Sequence, residues 1–317
     1  MNVPLQNNDQ ELPISSLDII IVNWNSGKLI SECINSIKCA INENFILLRI
    51  VVVDNASTDN SIEMIKQDEL PLIILQNSAN SGFAKACNHG AEKSTADYLL
   101  FLNPDTKLFD NSLSVPISFL KTNKNAGIVG VKLINEFGEV SRNCARFPTP
   151  LKMFFASLGL DRLFPKIMSG HFMKDWDHLS NRIVDQVMGS FFMIRKPLFE
   201  ILDGYDERFF VYYEDVDLAL RTFKKGYISY YLADAQVYHK GGGTTDNIKA
   251  DRLFYILRSK LLYAKKHFGI FYFILIFIAT IFIEPIVRIV ASSMRTSSLT
   301  EIKEIIRGYK KLIYSFF

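Results

Sequence analysis

The sequence has few cysteines, and none of them occurs in a pattern typical of metal binding. Only four are present in 317 residues: Cys33, Cys39, Cys87 and Cys144. None belongs to a Cys-x-x-Cys pair, and no histidine cluster accompanies them, which argues against a zinc site. Three of them, Cys33, Cys39 and Cys87, lie in segments with helical periodicity. We therefore expect reduced, buried thiols in a cytosolic protein.

Strong charge, internal repeats and a secretory start are also lacking. A formal charge of +3 is too small for a protein whose main partner is nucleic acid, so we exclude that class of partner. Residues 1–16 lack the basic start and apolar stretch of a signal sequence and predict a flexible tail. Hydrophobic residues make up 49% and charged residues 22% of the chain, which is typical of a folded protein.

Apolar segments rich in β-branched residues predict strands buried on both faces, at residues 18–23, 47–53, 72–75 and 98–102. Amphipathic helices separate them, and Ser26 is placed to cap the first of these helices. Further strands are predicted at 124–134 and 186–195. The alternation of strands and helices predicts an α/β fold with a mostly parallel sheet and right-handed crossovers. The segment 146–183 is aromatic and irregular, and we expect it to form a flap.

Polar residues follow each of these strands, at 54–59, 77–82 and 103–105. In open α/β sheets the ligand lies beyond the carboxyl ends of the strands, so these clusters should converge on one site. Farther along, residues 215–225 predict a helix with Asp215 near its N-terminal end, where the helix dipole favours a charged carboxylate. Asp217 and Arg221 are spaced as an i,i+4 ion pair.

Several sequence motifs, in this order and spacing, resemble family 2 glycosyltransferases with the GT-A fold, close to the bacterial rhamnosyltransferase-like branch. They are Ile-Val-Asn-Trp-Asn at 21–25, Val-Asp-Asn-Ala-Ser-Thr-Asp at 53–59, Asn-Ser-Gly-Phe-Ala-Lys-Ala-Cys-Asn at 80–88, Leu-Asn-Pro-Asp at 102–105, Gly-Ser-Phe-Phe-Met-Ile-Arg at 189–195, and the run 204–217 that contains Tyr-Tyr-Glu-Asp-Val-Asp. The resemblance covers about residues 17–245. It implies a GT-A domain over 17–250, a mostly parallel sheet flanked by helices, followed by a helical, membrane-associating region over 251–317.

The resemblance implies a nucleotide-sugar donor bound by residues from four motifs: Val22, Asn23, Asp54, Asn80, Gly82, Lys85 and Asn103. Asp54 would meet the base or ribose, and Gly82 would allow the backbone to approach the nucleotide. Two alternatives stay open. Asp54 and Asp59 would equally serve to cap a following helix, and Lys85 would equally be a solvated lysine.

The family often has Asp-x-Asp where this chain reads Asn103-Pro104-Asp105. The resemblance therefore implies that Asp105 is a ligand of Mg²⁺ or Mn²⁺ and that His239 contacts the metal or the diphosphate. Hard cations take oxygen ligands and bridge phosphate oxygens. Replacement of the first acid by Asn103 predicts a weaker metal site. The alternatives are a turn that ends the strand and a structural histidine.

Asp215 is our candidate for the catalytic base, since transfer to a hydroxyl requires a carboxylate within hydrogen-bond reach of its proton. The resemblance implies this role for the second acid of the Glu-Asp pair, with Glu214 orienting the acceptor. The alternative is that Glu214, Asp215 and Asp217 only complement the helix dipole. Asp217, paired with Arg221, is expected to be structural.

The activity implied by the resemblance is inverting transfer of a sugar, with rhamnose from dTDP-rhamnose as the first candidate and UDP-sugars as the second. The acceptor implied is a surface-glycan oligosaccharide on a lipid carrier. A Rossmann dehydrogenase is disfavoured because no Gly-x-Gly-x-x-Gly follows the first strand. A glycosidase would also use two carboxylates, and an inactive membrane-bound scaffold is the non-enzymatic alternative.

The C-terminal region combines a long apolar segment with a basic helix. Residues 268–283 carry no charge, and Glu284 and Pro285 interrupt the run. Residues 261–317 contain eight Lys or Arg against three Glu. One helical face is predicted from Ile302, Ile305, Ile306, Tyr309 and Ile313. This pattern suits a peripheral or monotopic helix on an anionic membrane surface, here the cytoplasmic face of the inner membrane. A helical subdomain or a homo-oligomer interface is the alternative.

Overall fold

The computed structural model describes residues 13–66, 70–163, 171–241, 249–295 and 299–316. The strands are β1 Ser15–Asn23, β2 Phe45–Asp54, β3 Leu72–Gln76, β4 Tyr98–Leu102, β5 Thr106–Leu108, β6 Ala126–Ile134, β7 Val140–Ser141, β8 Cys144–Ala145, β9 Arg182–Val184, β10 Gln186–Val187, β11 Phe191–Arg195 and β12 Ile228–His239. The tail predicted over residues 1–16 falls mostly outside the described residues, and β1 already begins at Ser15.

The helices are α1 Leu29–Ala40, α2 Phe83–Ala91, α3 Ser114–Thr122, α4 Pro150–Ser157, α5 Leu160–Leu163, α6 Lys196–Ile201, α7 Glu214–Lys224, α8 Lys249–His267, α9 Gly269–Ile278, α10 Glu284–Arg295 and α11 Leu299–Tyr314, with a π-helical segment at Ala279–Ile283 between α9 and α10. Ser26 was predicted to cap helix α1, and it does not. The Ser26 hydroxyl donates to Asn23 Oδ1 instead, and the residue that precedes the helix is Lys28.

The central sheet has the strand order β3-β2-β1-β4-β11-β6-β12-β5, with β7 added to β6 and β9 added to β12. The first four strands of this order are parallel, as predicted. Beyond them the sheet is mixed, because β11 runs antiparallel between β4 and β6. The strand predicted at 186–195 is divided into β10 and β11, which belong to different sheets.

Both faces of the sheet are covered by helices, which explains why its central strands are almost entirely apolar. In β1, residues Leu17, Ile19 and Ile21 pack in one core with α1 and α3. The alternate residues Ile20 and Val22 pack in a second core with α2, α6 and α7. Parallel strands enclosed in this way place their carboxyl ends along one edge, where the polar clusters of the sequence lie.

The segment predicted to form a flap, residues 146–183, packs against two different parts of the protein where it is described. Strand β9 pairs with β12, and Asn181 bonds to Ala233 and to the carboxylate of Asp234. Arg146 forms a bidentate pair with Asp175, at 2.7 and 3.1 Å. Among the described residues the later part of this segment is therefore added to the sheet edge, whereas Met153 of α4 packs in a core with the C-terminal helices.

A third core joins the C-terminal helices to the rest of the chain. It contains Leu257, Leu261 and Tyr263 of α8 with Ile276 of α9, packed against Phe209 and against Val216 of α7. The continuous helix Gly269–Met294 is the one helix in the described ranges that is long and apolar enough to cross a membrane, with a mean hydropathy of 2.5.

The four cysteines are free, and only part of the expectation for them is confirmed. Cys33 and Cys87 are buried in helices, where burial raises the pKa of both thiols, that of Cys33 to about 12. Cys39 is exposed rather than buried, because it lies on the outer side of α1. Buried thiols with raised pKa values are poor nucleophiles, so no cysteine chemistry is indicated at these two positions.

Candidate functional site

The ends of β1 and β2 are joined by a buried polar network centred on Asn23. The Asn23 amide group donates to Asp54 Oδ1 at 2.8 Å, and it also lies within 3.0 Å of the hydroxyls of Ser57 and Ser61. Its carbonyl accepts from Ser26. Asn23 is fully buried and its polar atoms are engaged within the protein. It therefore holds Asp54 in place, and Asp54 is left as the group of this pair nearer to a ligand.

The neighbouring Asn55 links this network to the loop after β3, a role that the sequence analysis missed. Its Oδ1 accepts from the Asn77 amide at 2.9 Å and from the backbone N–H of Ser81 at 3.2 Å, and its Nδ2 donates to the Gly82 carbonyl at 3.0 Å. Val22, also predicted at the donor site, is buried at the end of β1. An asparagine directly after a buried strand was the available signal.

Asp59 does not cap a helix, since residues 61–64 form a turn. Its Oδ2 accepts from the backbone N–H of Gly27 at 2.8 Å, and its Oδ1 accepts from that of Ser61 at 3.1 Å. Burial acts to raise the pKa of Asp59, but the hydrogen bonds from Ser61 and Gly27 outweigh it and leave the pKa below its ordinary value. Asp59 thus organises the two loops at this edge of the sheet.

Gly82 makes a close backbone contact with Phe210, and its predicted contact with a nucleotide stays a prediction. A Cβ atom at Gly82 would lie 2.5 Å from the carbonyl oxygen of Phe210, and the φ angle of Gly82 is +87°. The N–H of Phe83 donates to the same oxygen at 2.6 Å. Asn80 supports the turn by accepting from the Gly82 N–H at 3.0 Å. The predicted donor loop is therefore attached to the loop that precedes the acid pair.

We expect Gly82→Ala to lower the free energy of unfolding by about 2 to 4 kcal/mol, because the new Cβ meets a backbone oxygen and the residue has positive φ. Gly138→Ala is the matched control, since Gly138 has a φ of +74° but no atom within 4 Å of the position that a Cβ would take. Gly138→Ala should lower the free energy of unfolding by about 1 kcal/mol. Denaturant unfolding of both variants checks this, and equal losses would contradict the Phe210 contact.

Lys85 is exposed, and its ammonium lies 4.0 Å from the carboxylate of Glu207. The two residues belong to α2 and to the loop before α7. The structure thus places Lys85 beside an acid of this loop. Its predicted contact with a diphosphate stays a prediction.

Asp105 and His239 are brought together by strand pairing. Strand β5 pairs with β12 so that Thr106 lies opposite His239, and Asp105 Oδ1 lies 3.3 Å from His239 Nε2. No third His, Cys, Asp or Glu of the described residues joins them in a group that could hold a metal. Mg²⁺ commonly takes one or two carboxylates and completes its shell with waters and substrate phosphates, and imidazole suits transition metals. The pair therefore fits a cation whose shell a bound diphosphate completes.

Asn103 is held by its backbone at the end of β4. Its N–H donates to the carbonyl of Ser190 at 3.1 Å, and its own carbonyl accepts from the Thr106 hydroxyl at 2.7 Å. Gly189, which precedes Ser190, donates its N–H to Asp215 Oδ2 at 3.1 Å. Two adjacent residues thus connect the turn of Asn103 to Asp215, although these two lie 112 positions apart in the sequence.

Glu214 and Asp215 begin α7 after an unusual backbone turn. Tyr212 and Tyr213 both have positive φ, +68° and +66°, a conformation rare for aromatic residues and often found at functional sites. The Asp215 carboxylate accepts from the backbone N–H of Gly189 and, at 2.8 Å, from that of Val216. The sequence offered no signal for the turn at Tyr212 and Tyr213.

Burial raises the pKa of both acids of the pair. For Glu214, the nearby charge of Asp215 raises the pKa further, and Oε2 of Glu214 is buried without a hydrogen-bond partner. For Asp215, hydrogen bonds from Val216, Gly189 and Gln186 oppose the effect of burial on its pKa. The Asp215 carboxylate thus has hydrogen-bond donors that favour its ionised form, whereas burial and the charge of Asp215 favour the protonated form of Glu214. We expected the N-terminus of α7 to keep the pKa of Asp215 low. This expectation was wrong, because the effect of burial on the pKa outweighs that of the helix terminus.

Asp217 is paired with Arg221, as predicted, at 2.7 Å. It is fully buried and also binds two residues at the end of α8 that the sequence analysis did not connect with it: Lys266 at 2.6 Å and His267 at 2.8 Å. Burial acts to raise the pKa of Asp217, but the hydrogen bond from His267 and the charges of Arg221 and Lys266 hold it below its ordinary value.

Comparison with known proteins identifies the family. Residues 18–200 match the sequence profile described as glycosyl transferase family 2, more than half of the chain. The N-acetylglucosaminyl-diphospho-decaprenol L-rhamnosyltransferase of Mycobacterium tuberculosis is 24% identical over 266 residues, which cover 80% of this chain and 85% of that protein. Rhamnosyltransferase WbbL of Escherichia coli is 28% identical over 143 residues, 45% of this chain and 52% of that protein.

Solved structures of glycosyltransferases have the same fold. The mannosyltransferase PcManGT from Pyrobaculum calidifontis, in complex with GDP-Man and Mn²⁺, superposes with a TM-score of 0.57 at 15% identity, covering 96% of this chain and 88% of that one. TarS 1-349 of S. aureus superposes with a TM-score of 0.53 at 16% identity, covering 95% and 80%. With the family match, this excludes the dehydrogenase and the glycosidase as interpretations of the sequence. The chain belongs to glycosyl transferase family 2 and is a glycosyltransferase with the GT-A fold.

Proposed function

We propose that this enzyme transfers a sugar from a nucleotide diphosphate to an acceptor hydroxyl with inversion, and that Asp215 is the catalytic base. The observation that carries the proposal is the connection through Gly189 and Ser190, which joins the Asn103 turn to Asp215. Donor and acceptor must meet between these two groups for a single displacement. Asp105 and His239 lie on the same side as Asn103, at the carboxyl end of β4 and of β12.

In this reaction Asp215 accepts the proton of the acceptor hydroxyl while the hydroxyl oxygen attacks the anomeric carbon. The bond from that carbon to the diphosphate oxygen breaks on the opposite face, and the diphosphate leaves with the electron pair, so the configuration inverts. Mg²⁺ or Mn²⁺ held by Asp105 and His239 would neutralise charge on the leaving diphosphate. Glu214, whose protonated form is favoured by burial, would orient Asp215 and the acceptor rather than take up a proton.

The proposed donor is dTDP-rhamnose and the proposed acceptor a lipid-linked glycan. The names of the two rhamnosyltransferase relatives support the sugar, and the M. tuberculosis relative is named for a lipid diphosphate acceptor. A UDP-sugar is the second candidate, supported by the TarS 1-349 complex with UDP-GlcNAc. Asp54, Asn80, Gly82 and Asn103 would form the nucleotide side of this site, with Val22 and Asn23 behind them.

Calorimetric titration of the full chain with dTDP, UDP, GDP and NAD, with and without Mg²⁺ or Mn²⁺, tests this function. Metal-enhanced binding of dTDP supports the rhamnose donor, and metal-enhanced binding of UDP supports the second candidate. Binding of GDP alone would keep the reaction and discard both donors. Binding of NAD, or of none of the four, would contradict the proposed function.

We further propose that the enzyme works at the cytoplasmic face of the inner membrane, with helix 269–294 lying in the plane of the surface. Large apolar side chains are exposed along this helix at Ile270, Phe271, Ile274, Ile278, Phe282, Ile286, Val290 and Met294. The exposed cations Lys303, Arg307 and Lys310 of α11 suit anionic lipid headgroups. The predicted apolar face of α11 is divided, however. Tyr309 and Ile305 pack inward against α8, whereas Ile306 and Ile313 are exposed.

The inward side of helix 269–294 favours the in-plane arrangement over a span. Glu284, near the middle of the helix, is buried and bonds to Lys260 of α8 at 2.6 Å and to Arg288 at 2.7 Å. Lys260 also donates to the Ser157 hydroxyl of α4 at 2.7 Å. A spanning orientation would carry α8 and these ionic groups into the hydrocarbon, where unsolvated charges are costly.

We expect two engineered cysteines that flank this helix to remain on one side of the membrane. Lys265→Cys and Thr300→Cys, each in a Cys39→Ser background, place a thiol at an exposed position before and after the helix. With the protein bound to sealed vesicles containing anionic lipid, a membrane-impermeant maleimide added outside should label both. Labelling of only one would indicate a span, and absence of vesicle binding would contradict membrane attachment.

A further inference from the structure

We propose that Asp217, Lys266 and His267 form a positioning clamp that sets the rotation of α7, and with it the placement of Asp215. The inference rests on the proposed role of Asp215 as base. Asp217 lies two residues after Asp215, about 200° around the helix axis. Asp215 is held on its side by the Gly189 N–H, and Asp217 is held on the opposite side by the ammonium of Lys266 and the imidazole of His267.

The charges in this cluster are poorly suited to a purely stabilising role. Both oxygens of a fully buried carboxylate are bound, Oδ2 by Arg221 and Oδ1 by Lys266 and His267. Desolvation of buried ions offsets most of their attraction, so such pairs add little stability compared with apolar side chains of the same volume. What they do supply is a fixed geometry with defined directions of contact.

The geometric requirement at Asp215 is strict enough for such a clamp to matter. A carboxylate about 6 Å from the helix axis moves by about 1 Å when the helix rotates by about 10°. Misplacement of a catalytic group by about 1 Å can lower the rate about 100-fold. The first turn of α7 follows two residues with positive φ, Tyr212 and Tyr213, so the backbone before it does not by itself continue a helix.

Other residues of α8 also support the loop that leads to the acid pair. Ser259 donates to the Val211 carbonyl at 2.9 Å, and Tyr255 stacks on Phe210 with ring centroids 4.5 Å apart. Lys266 additionally binds Asp206 at 2.7 Å. Immediately after His267 the chain enters the exposed apolar helix at Gly269. The clamp therefore connects the placement of the base to the N-terminal end of the proposed membrane-facing helix.

The test compares Lys266→Met with Lys265→Met in the full chain. Lys265 is the exposed neighbour with the same charge, so its variant controls for charge at the start of the apolar helix. The readout is kcat and KM for the nucleotide sugar identified by the titration above, with a short-chain, water-soluble prenyl-diphosphate sugar as acceptor. Lys266→Met should lower kcat about 10- to 100-fold with the donor KM nearly unchanged, whereas Lys265→Met should behave like wild type.

A second pair of variants separates positioning from folding. His267→Phe should lower kcat as Lys266→Met does, and His267→Gln, which keeps a donor toward Asp217, should restore most of it. Equal kcat values for the Lys266 and Lys265 variants, or parallel changes in kcat and donor KM with a lowered melting temperature, would overturn the clamp. Absence of transfer by the wild type would instead contradict the proposed function. Failure of the clamp and failure of the proposed function therefore give different results.

Discussion

Asp215→Asn should reduce transfer by about 10²- to 10⁴-fold while leaving nucleotide binding nearly intact. General base catalysis contributes a factor of this size, and the amide of asparagine cannot accept the proton. The nucleotide should still bind, because Asp54, Asn80 and Gly82 lie on other loops. Single-turnover transfer and calorimetric binding of the nucleotide measure the two effects separately. Equal loss of both would show that Asp215 serves the donor rather than the acceptor.

Glu214→Gln is the matched comparison for this variant. Burial and the neighbouring charge of Asp215 raise the pKa of Glu214, which favours its neutral form, and glutamine resembles that form closely. Its loss of activity should be much smaller than that of Asp215→Asn. A loss as large as that of Asp215→Asn would assign the base to Glu214.

The pH profile of the wild type provides a further check on the same base. Only ionised Asp215 accepts a proton, so kcat/KM should fall as the pH drops through its pKa. Because burial raises this pKa above the ordinary 3.8, the acid limb should begin at a higher pH than for an exposed aspartate. The acid limb should persist in Glu214→Gln, since Asp215 is still present to titrate.

Asp105→Ala should abolish the enhancement of nucleotide binding by Mg²⁺ or Mn²⁺. Losing even an outer-shell group typically costs about 10- to 100-fold in metal affinity, so loss of a direct ligand should cost at least about 10-fold. In EDTA, Asp105→Ala should instead bind the nucleotide more tightly than wild type. Removal of a carboxylate near the diphosphate relieves repulsion between like charges. Titration of the nucleotide under both conditions tests this crossover.

Two comparisons sharpen the result for Asp105. His239→Gln should weaken metal-dependent binding without tightening binding in EDTA, because an imidazole carries no negative charge that would repel a phosphate. Asp110→Ala changes an exposed aspartate of the same loop region and should leave both titrations as in wild type. A metal dependence of Asp105→Ala equal to that of wild type would remove Asp105 from the metal site.

The first half of the sheet could be predicted because each of its strands is marked locally. The segments that became β1, β2, β3 and β4 are apolar and end in turn-forming polar residues, and their parallel pairing follows from the helices between them. The same reasoning placed Asn23 beside Asp54. It failed to distinguish a side chain that binds a ligand from one that orients its neighbour, because that depends on which hydrogen bonds are already satisfied.

Features that depend on contacts between distant segments were beyond the reach of the sequence. Gly82 was correctly marked as a close approach, yet its partner is Phe210, which lies 128 positions later. Strand β11 runs antiparallel to both of its neighbours, β4 and β6, which no local pattern indicated. Asp217 showed its i,i+4 partner Arg221, whereas its bonds to Lys266 and His267 span about fifty residues.

The exposed apolar row on helix 269–294 has a consequence for how turnover should scale. An enzyme that lies along a bilayer meets a lipid-borne acceptor by diffusion in two dimensions, so its rate follows the mole fraction of acceptor in the surface. Diluting the acceptor with inert lipid should then slow the reaction even when the total amount in the tube is constant. Confinement of both partners to one layer raises their effective concentration without any additional contact between them.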